Sequence, residues 1–120
     1  DTLMSKHHKK LIDWQKSMYL VEIIYQLSRN FPREEIYGLS SQMRRAAISV
    51  PSNIAEGAAG RSAVQFKNYL SMAIGSLNEL ATQLEISHRI GYLDTTTFGD
   101  IESGIDECLA VTYGLRKSIR

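Results

Sequence analysis

One cysteine, two prolines, three histidines and one tryptophan are found in 120 residues, and no apolar run approaches membrane-spanning length. Each scarcity excludes something. Cys108 has no partner for an internal disulfide, and its apolar helical setting reads as a small, buried, unreactive side chain in a reducing compartment. His7 and His8 are adjacent and point apart on a helix, while His88 stands alone. No Cys or His pair has ligand spacing, so no metal and no cofactor are expected. A transmembrane helix takes about 20 apolar residues, so no membrane partner is expected either. Lys6-His7-His8-Lys9-Lys10 leads into no apolar segment of the signal-peptide kind, which leaves a cytoplasmic location as the expectation. Asp1-Thr2-Leu3 precede Met4, which reads as the natural start. Gly57-Ala58-Ala59-Gly60-Arg61-Ser62 lacks the lysine and the preceding strand of a phosphate loop, and reads as an interhelical turn. Cys108 has no histidine at a useful offset for nucleophilic chemistry. An enzyme is therefore not expected.

What remains is an ordinary globular composition, 43% apolar and 22% charged, long enough for one domain with a real core. The formal charge is only +1, but it is unevenly placed. Residues 1–70 carry ten Lys/Arg against six Asp/Glu; residues 71–120 carry four against seven. That asymmetry fits either a basic and an acidic face or ordinary helix-end charge placement.

No stretch alternates with period two, and four stretches carry helical spacing. The first runs from about Lys10 to Arg29. Leu11, Trp14, Met18, Val21 and Tyr25 form one row and Leu20, Ile24, Leu27 and Phe31 a second, an apolar face wider than one partner helix needs. Phe31-Pro32 ends it, and a turn to Tyr37 follows. The second runs from about Leu39 to Ala59, with Ser40 or Ser41 as cap candidates and Pro51 predicting a kink or break. The third opens on the capping box Ser62…Gln65 and places Phe66, Leu70, Ala73, Leu77, Leu80, Leu84 and Ser87 at heptad spacing up to Gly91. The fourth begins near Asp94 or Thr95 and repeats the spacing through Phe98, Ile101, Ile105, Cys108, Thr112, Leu115 and Ile119. Short links and heptad seams predict an all-α, antiparallel up-down-up-down four-helix bundle over residues 11–120, with residues 1–10 as a basic N-terminal arm.

The second helix also carries a polar row, Gln42, Arg45, Ser49, Asn53 and Glu56, set among alanines and serines. The third offers Asn68, Ser76, Glu79 and Gln83. Such a stripe is a solvated face, a set of contacts within the bundle or between subunits, or a nucleic-acid surface. The small-residue setting favours the contacts, with Arg45 paired to Glu79 or Glu56. Gln42, Arg45, Asn53, Glu56, Ser76, Glu79 and Gln83 are thus candidates for polar packing or oligomer contacts. Candidates for nucleic acid are Lys6, Lys9, Lys10, Lys16, Arg29, Arg33, Arg44, Arg61 and Lys67. Aromatics suited to stacking are not interleaved with them, apart from Tyr37 and Tyr69.

Two linked motifs carry a resemblance. Ser41-Gln42-Met43-Arg44-Arg45-Ala46-Ala47, Val50-Pro51 and Asn53-Ile54-Ala55-Glu56-Gly57 form the first; Gly75-Ser76-Leu77-Asn78-Glu79-Leu80 with Gln83-Leu84 forms the second. Trp14-Gln15, Phe31-Pro32 and Gly91-Tyr92-Leu93 fit as well. From about Leu11 to Ile119 the chain resembles the bacterial four-helix-bundle family encoded by intervening sequences of large-subunit (23S) ribosomal RNA genes, related to accessory proteins of diversity-generating retroelements. The resemblance implies a ring-shaped homo-oligomer, a pentamer, with no settled activity. It points to structured RNA, a ribonucleoprotein, or a reverse transcriptase with its RNA as partner. The rival expectations are a protein-interaction scaffold without a nucleic-acid role and, third, a small-molecule binder, for which well-filled seams leave little room.

Overall fold

Four helices carry residues 7–120, which the computed structural model describes: α1 (Ile12–Ser28), α2 (Leu39–Ala59), α3 (Ala63–Arg89) and α4 (Thr95–Ser118). Single 3-10 turns occur at His7–Lys10 and Arg33–Glu35, and no strand occurs among the described residues. The helices run up, down, up and down, as the paired heptads require. α2 and α3 share the most extensive seam, and α1 and α4 the sparsest of the four adjacent ones.

The helix boundaries follow local chemistry. Ser62 Oγ accepts from Gln65 N at 3.0 Å and opens α3. Asp94 Oδ1 accepts from Thr97 N at 2.7 Å and opens α4. Gly91 closes α3 in the left-handed region, at φ 87°, where a Cβ would be strained. α2 opens differently from the expectation. Neither Ser40 nor Ser41 caps it; Ser40 is buried, and Gly38 stands at the cap position with no side chain to offer. The acceptor comes from Glu35, whose Oε1 takes Leu39 N at 3.1 Å while its Oε2 takes the Tyr92 hydroxyl at 2.7 Å. One carboxylate thereby ties the α1–α2 connection to the α3–α4 turn.

Pro51 does not break α2, which is helical on both sides of it, and the ring itself is buried. Further along, Gly57 is buried where α2 and α3 converge; a Cβ there would lie 2.8 Å from Phe66 Cδ1 and from Tyr69 Cβ. This close approach, more than a weak helix end, accounts for the glycine.

The core is the union of the heptad rows. Met43, Val50, Ile54, Leu70, Ala73, Leu77, Leu80 and Ile105 are fully buried. Each leucine or isoleucine among them contributes about 1.5–3 kcal/mol relative to exposure. α1 departs from the expectation. Its buried residues are Asp13, Ser17, Leu20, Ile24 and Ser28. The row that begins at Leu11 is peripheral: Trp14, Val21 and Tyr25 are half-buried and Met18 is exposed. α1 also starts later than expected, because His7–Lys10 form their own turn on the bundle. There Gln15 Nε2 donates to the Lys9 carbonyl at 2.9 Å, and the His8 ring meets Trp14 edge-on at 5.1 Å.

Candidate functional site

The antiparallel course gathers four chain segments at each end of the bundle. At one pole α1 ends, α2 begins, α3 ends and α4 begins. Here Arg29, Arg33 and Arg44 line one concavity of about 320 Å³, with Ser28, Ser40, Phe31, Pro32 and Ile36 completing its wall. Arg29 and Arg33 are exposed. Arg44 is half-buried: its Nε donates to Ser28 Oγ at 2.7 Å, and its guanidinium lies 4.6 Å from the centre of the Tyr25 ring. Ser28 Oγ in turn donates to the Ile24 carbonyl at 2.7 Å. Arg44 is thus positioned by α1 before any ligand arrives, with a bidentate-capable group held in place.

The acid beside this concavity is already engaged. Hydrogen bonds from Tyr92 and then from the Leu39 amide hold the Glu35 carboxyl below its ordinary range, and the same bond pushes the Tyr92 phenol up. Glu34 is exposed on the adjoining turn.

The other basic candidates disperse. Lys6 and the side chain of Lys10 lie outside the described residues. Lys9 is exposed, and Arg61 and Lys67 lie at the opposite pole, the first exposed and the second half-buried. Lys16 pairs with Glu107 on α4, and that hydrogen bond raises the lysine's pKa. Of the seven proposed residues whose side chains are described, three converge.

The polar stripe forms a second concavity. Gln42, Arg45, Ala46 and Ser49 of α2 face Ser76 and Glu79 of α3 across about 390 Å³. The hydroxyls of Ser49 and Ser76 lie 2.8 Å apart, and Asn53 Nδ2 donates to Ser49 O at 2.8 Å and to Ser49 Oγ at 2.9 Å. These contacts lie within one chain. Among the described residues Arg45 makes no ion pair with Glu79 or Glu56; all three are exposed. Gln83 is buried at 6% exposure, and its Oε1 lacks a partner. Of the two neighbouring arginines, Arg44 packs on α1 within the chain and Arg45 is exposed.

Two further surfaces flank the bundle, the first on the wide apolar face expected of α1. An apolar groove of about 380 Å³ between α1 and α2 is lined by Trp14, Met18, Val21, Ile48, Pro51 and Ala55, with His8 and Ser52. Between α1 and α4, grooves of about 590 and 370 Å³ meet at Leu20, Ile23, Asp100 and Gly104. The same two helices share a buried polar contact, in which Thr112 Oγ1 donates to Asp13 Oδ1 at 2.8 Å and Asp13 Oδ2 has no partner. Burial raises the Asp13 pKa against the lowering effect of Thr112. It also pushes the Cys108 thiol up to about 11, aided by the nearby Asp13 charge. The α1–α4 seam is less filled than its heptads suggested. Among the described residues no cluster of metal-ligating side chains occurs and no helix is long and apolar enough to cross a membrane.

Residues 9–114 match the 23S rRNA-intervening sequence protein family, and the chain belongs to that family. A protein of unknown function from the S23 ribosomal protein family of Bacteroides thetaiotaomicron has a similar structure, with a TM-score of 0.83 at 24% identity over 89% of this chain and 96% of that one. At that identity the likeness concerns the fold. No curated protein matches the chain.

Proposed function

We propose that this member of the rRNA-intervening-sequence family is a non-enzymatic, cytoplasmic homo-oligomer that binds structured RNA or a ribonucleoprotein through its arginine-bearing pole. The observation that carries the reading is the convergence of Arg29, Arg33 and Arg44 on one concavity. Three guanidiniums beside an acid engaged elsewhere make a phosphate-binding surface, since arginine meets phosphate oxygens in a bidentate fork. The acidic side chains Asp100, Glu102, Asp106 and Glu107 are carried by α4 and do not line that concavity. The excess of Lys and Arg over Asp and Glu in residues 1–70 supports a basic surface on that part of the chain.

Assembly is supported by the apolar groove of Trp14, Met18, Val21 and Ile48, which one bundle leaves uncovered. These are the side-facing surfaces of the bundle, so head-to-tail packing through them leaves the poles free. The number five, and a reverse transcriptase with its RNA as a partner class, come from the family resemblance. A scaffold without nucleic acid is the second reading. It is favoured by the α2–α3 concavity, whose exposed Gln42, Arg45 and Glu79 suit a protein partner.

The test is RNA affinity across a salt titration. Binding at the pole gives a log–log slope that falls by about 0.7–0.9 for each arginine contact removed. The double substitution Arg29→Gln/Arg33→Gln should flatten it, and RNA binding that is absent at low salt selects the scaffold. Light scattering tests assembly: a mass of 13.5 kDa at micromolar concentration removes the oligomer. If Arg45 meets Glu79 of a neighbouring copy, Arg45→Glu lowers the oligomer mass and adding Glu79→Arg partly restores it.

A further inference from the structure

We propose that the arginine-bearing pole takes one unpaired nucleotide, with its base stacked on Tyr37 and its phosphate among Arg29, Arg33 and Arg44. The inference rests on the RNA-binding reading above and adds what part of an RNA the pole selects.

Tyr37 is 96% exposed, the most exposed large apolar side chain among the described residues, and its neighbour Ile36 is 52% exposed. A ring displayed so fully gains nothing from packing. A mobile loop would explain that, but this loop is anchored. Phe31 is buried at 7% exposure and packs on the Tyr92 ring at 5.2 Å. Tyr92 holds Glu35 at 2.7 Å, and Glu35 caps Leu39 at 3.1 Å. A backbone bond from Ile36 N to Arg33 O at 3.2 Å closes the turn before Tyr37, and one from Gly38 N to Glu35 O at 3.0 Å closes the turn that contains it. The chain is thus fixed immediately before and after a bare aromatic ring. Rigid display of this kind lowers the ordering cost that a ligand must offset.

Ile36, next in sequence to Tyr37, lines the arginine concavity. Tyr37 itself stays outside that lining, so the loop carries an exposed π-face on the residue that follows the concavity's wall; an aromatic face and guanidiniums on one short loop are the combination that binds a nucleotide released from its neighbours. Arg44 supplies the fixed group, stacked on Tyr25 and held by Ser28 Oγ. Arg29 and Arg33 supply the exposed ones. A base within a duplex has both faces covered by its neighbours, so paired RNA reaches the arginines through phosphate alone. A loop, bulge or single strand reaches both. Stacking tolerates any base, so the preference is for the unpaired state and not for a sequence.

The test compares a short labelled oligouridylate with a blunt RNA duplex of equal length, bound to the full chain and followed by fluorescence anisotropy. Tyr37→Ala should weaken the single strand by about 5- to 100-fold, the effect of losing one base–aromatic stack, and leave the duplex unchanged. Tyr37→Trp should keep the single-strand affinity. Arg29→Gln/Arg33→Gln should weaken both RNAs and flatten both salt slopes. Because Tyr37 is exposed, an unchanged melting curve verifies that the variants fold. Wild-type chain that binds neither RNA overturns the RNA reading and this inference with it. Wild-type binding that Tyr37→Ala leaves intact, or weakens equally on both RNAs, overturns the nucleotide site and leaves the RNA reading standing.

Discussion

Where α2 meets α3, the helices converge through Gly57 against Phe66 and Tyr69, and the rows Met43, Ala47, Val50, Ile54 and Leu70, Ala73, Leu77, Leu80 are all buried to 1% exposure or less. Where α1 meets α4, the facing groups are Asp13 and Thr112, with Cys108 and Ser17 beside them, and the two helices border open grooves of about 590 and 370 Å³. The first seam is close because small residues let the backbones approach, and its polar concavity of about 390 Å³ opens among the exposed Gln42, Arg45 and Glu79. The second is held by a directional hydrogen bond and carries the cost of a carboxylate oxygen that is buried without a partner. A bundle with similar heptads on all sides can thus still have one strong seam and one weak one, and the weak one is where change is tolerated.

That contrast is open to measurement. The largest expected effect is on the core beside the close seam: Leu77→Ala should cost about 2–5 kcal/mol in urea unfolding, whereas Ile101→Ala, beside the α1–α4 groove, should fall at or below the low end of that range. Equal costs at both positions would remove the distinction. Glycines give the next comparison. Gly57→Ala places a Cβ 2.8 Å from Phe66 and Tyr69 and should lose about 1–3 kcal/mol. Gly104→Ala meets nothing within 4 Å and should gain about 0.5–1 kcal/mol of helix stability. A loss of stability in Gly104→Ala by thermal melting would mean that the groove is already filled.

Asp13 yields a smaller effect with a definite sign. Its folded pKa is raised, so the folded chain holds the proton more tightly than the unfolded chain. Its contribution to stability is then greatest below the ordinary value of 3.8, declines as pH rises through the raised value, and stays reduced above it. Asp13→Asn should remove that decline and differ from the parent chain by on the order of 1 kcal/mol at neutral pH. A difference between the parent chain and Asp13→Asn that does not change with pH over this window would contradict the assignment. The smallest effect is on reactivity. Cys108 is 2% exposed and its pKa lies at about 11, so a thiol reagent should leave the native chain unmodified at neutral pH and react fully in denaturant.

The sequence made α3 and α4 legible because Leu70, Leu77, Leu84, Ile101 and Ile105 are unambiguous and Ser62 and Asp94 use their own side chains as caps. It misled on α1. Leu20, Ile24 and Phe31 of the second row are buried as read, but Trp14 and Met18 of the first are not, and Asp13, Ser17 and Ser28 take the remaining buried positions, polar residues that conceal the spacing. The α2 cap was not legible, since Glu35 acts together with Tyr92 at a separation of 57 residues. Arg44 and Arg45 are identical in type and adjacent; only the position of Tyr25 and Ser28 on α1 decides which turns inward. The same holds for the basic site. Arg29, Arg33 and Arg44 were three candidates among nine, and their convergence depends on the path of the α1–α2 connection.

The hydrogen bond between Asp13 and Thr112 spans 99 residues of chain. The α2–α3 hairpin, by contrast, closes through residues 60–62 alone. Loop-closure entropy rises with the separation of the joined residues, so the hairpin is the inexpensive part to assemble and the union of the two chain ends the costly one. In hydrogen exchange, the amides of α2 and α3 should therefore open only with global unfolding. Those along the facing sides of α1 and α4 should exchange through a lower-energy opening that separates the first helix from the last and leaves the central hairpin intact.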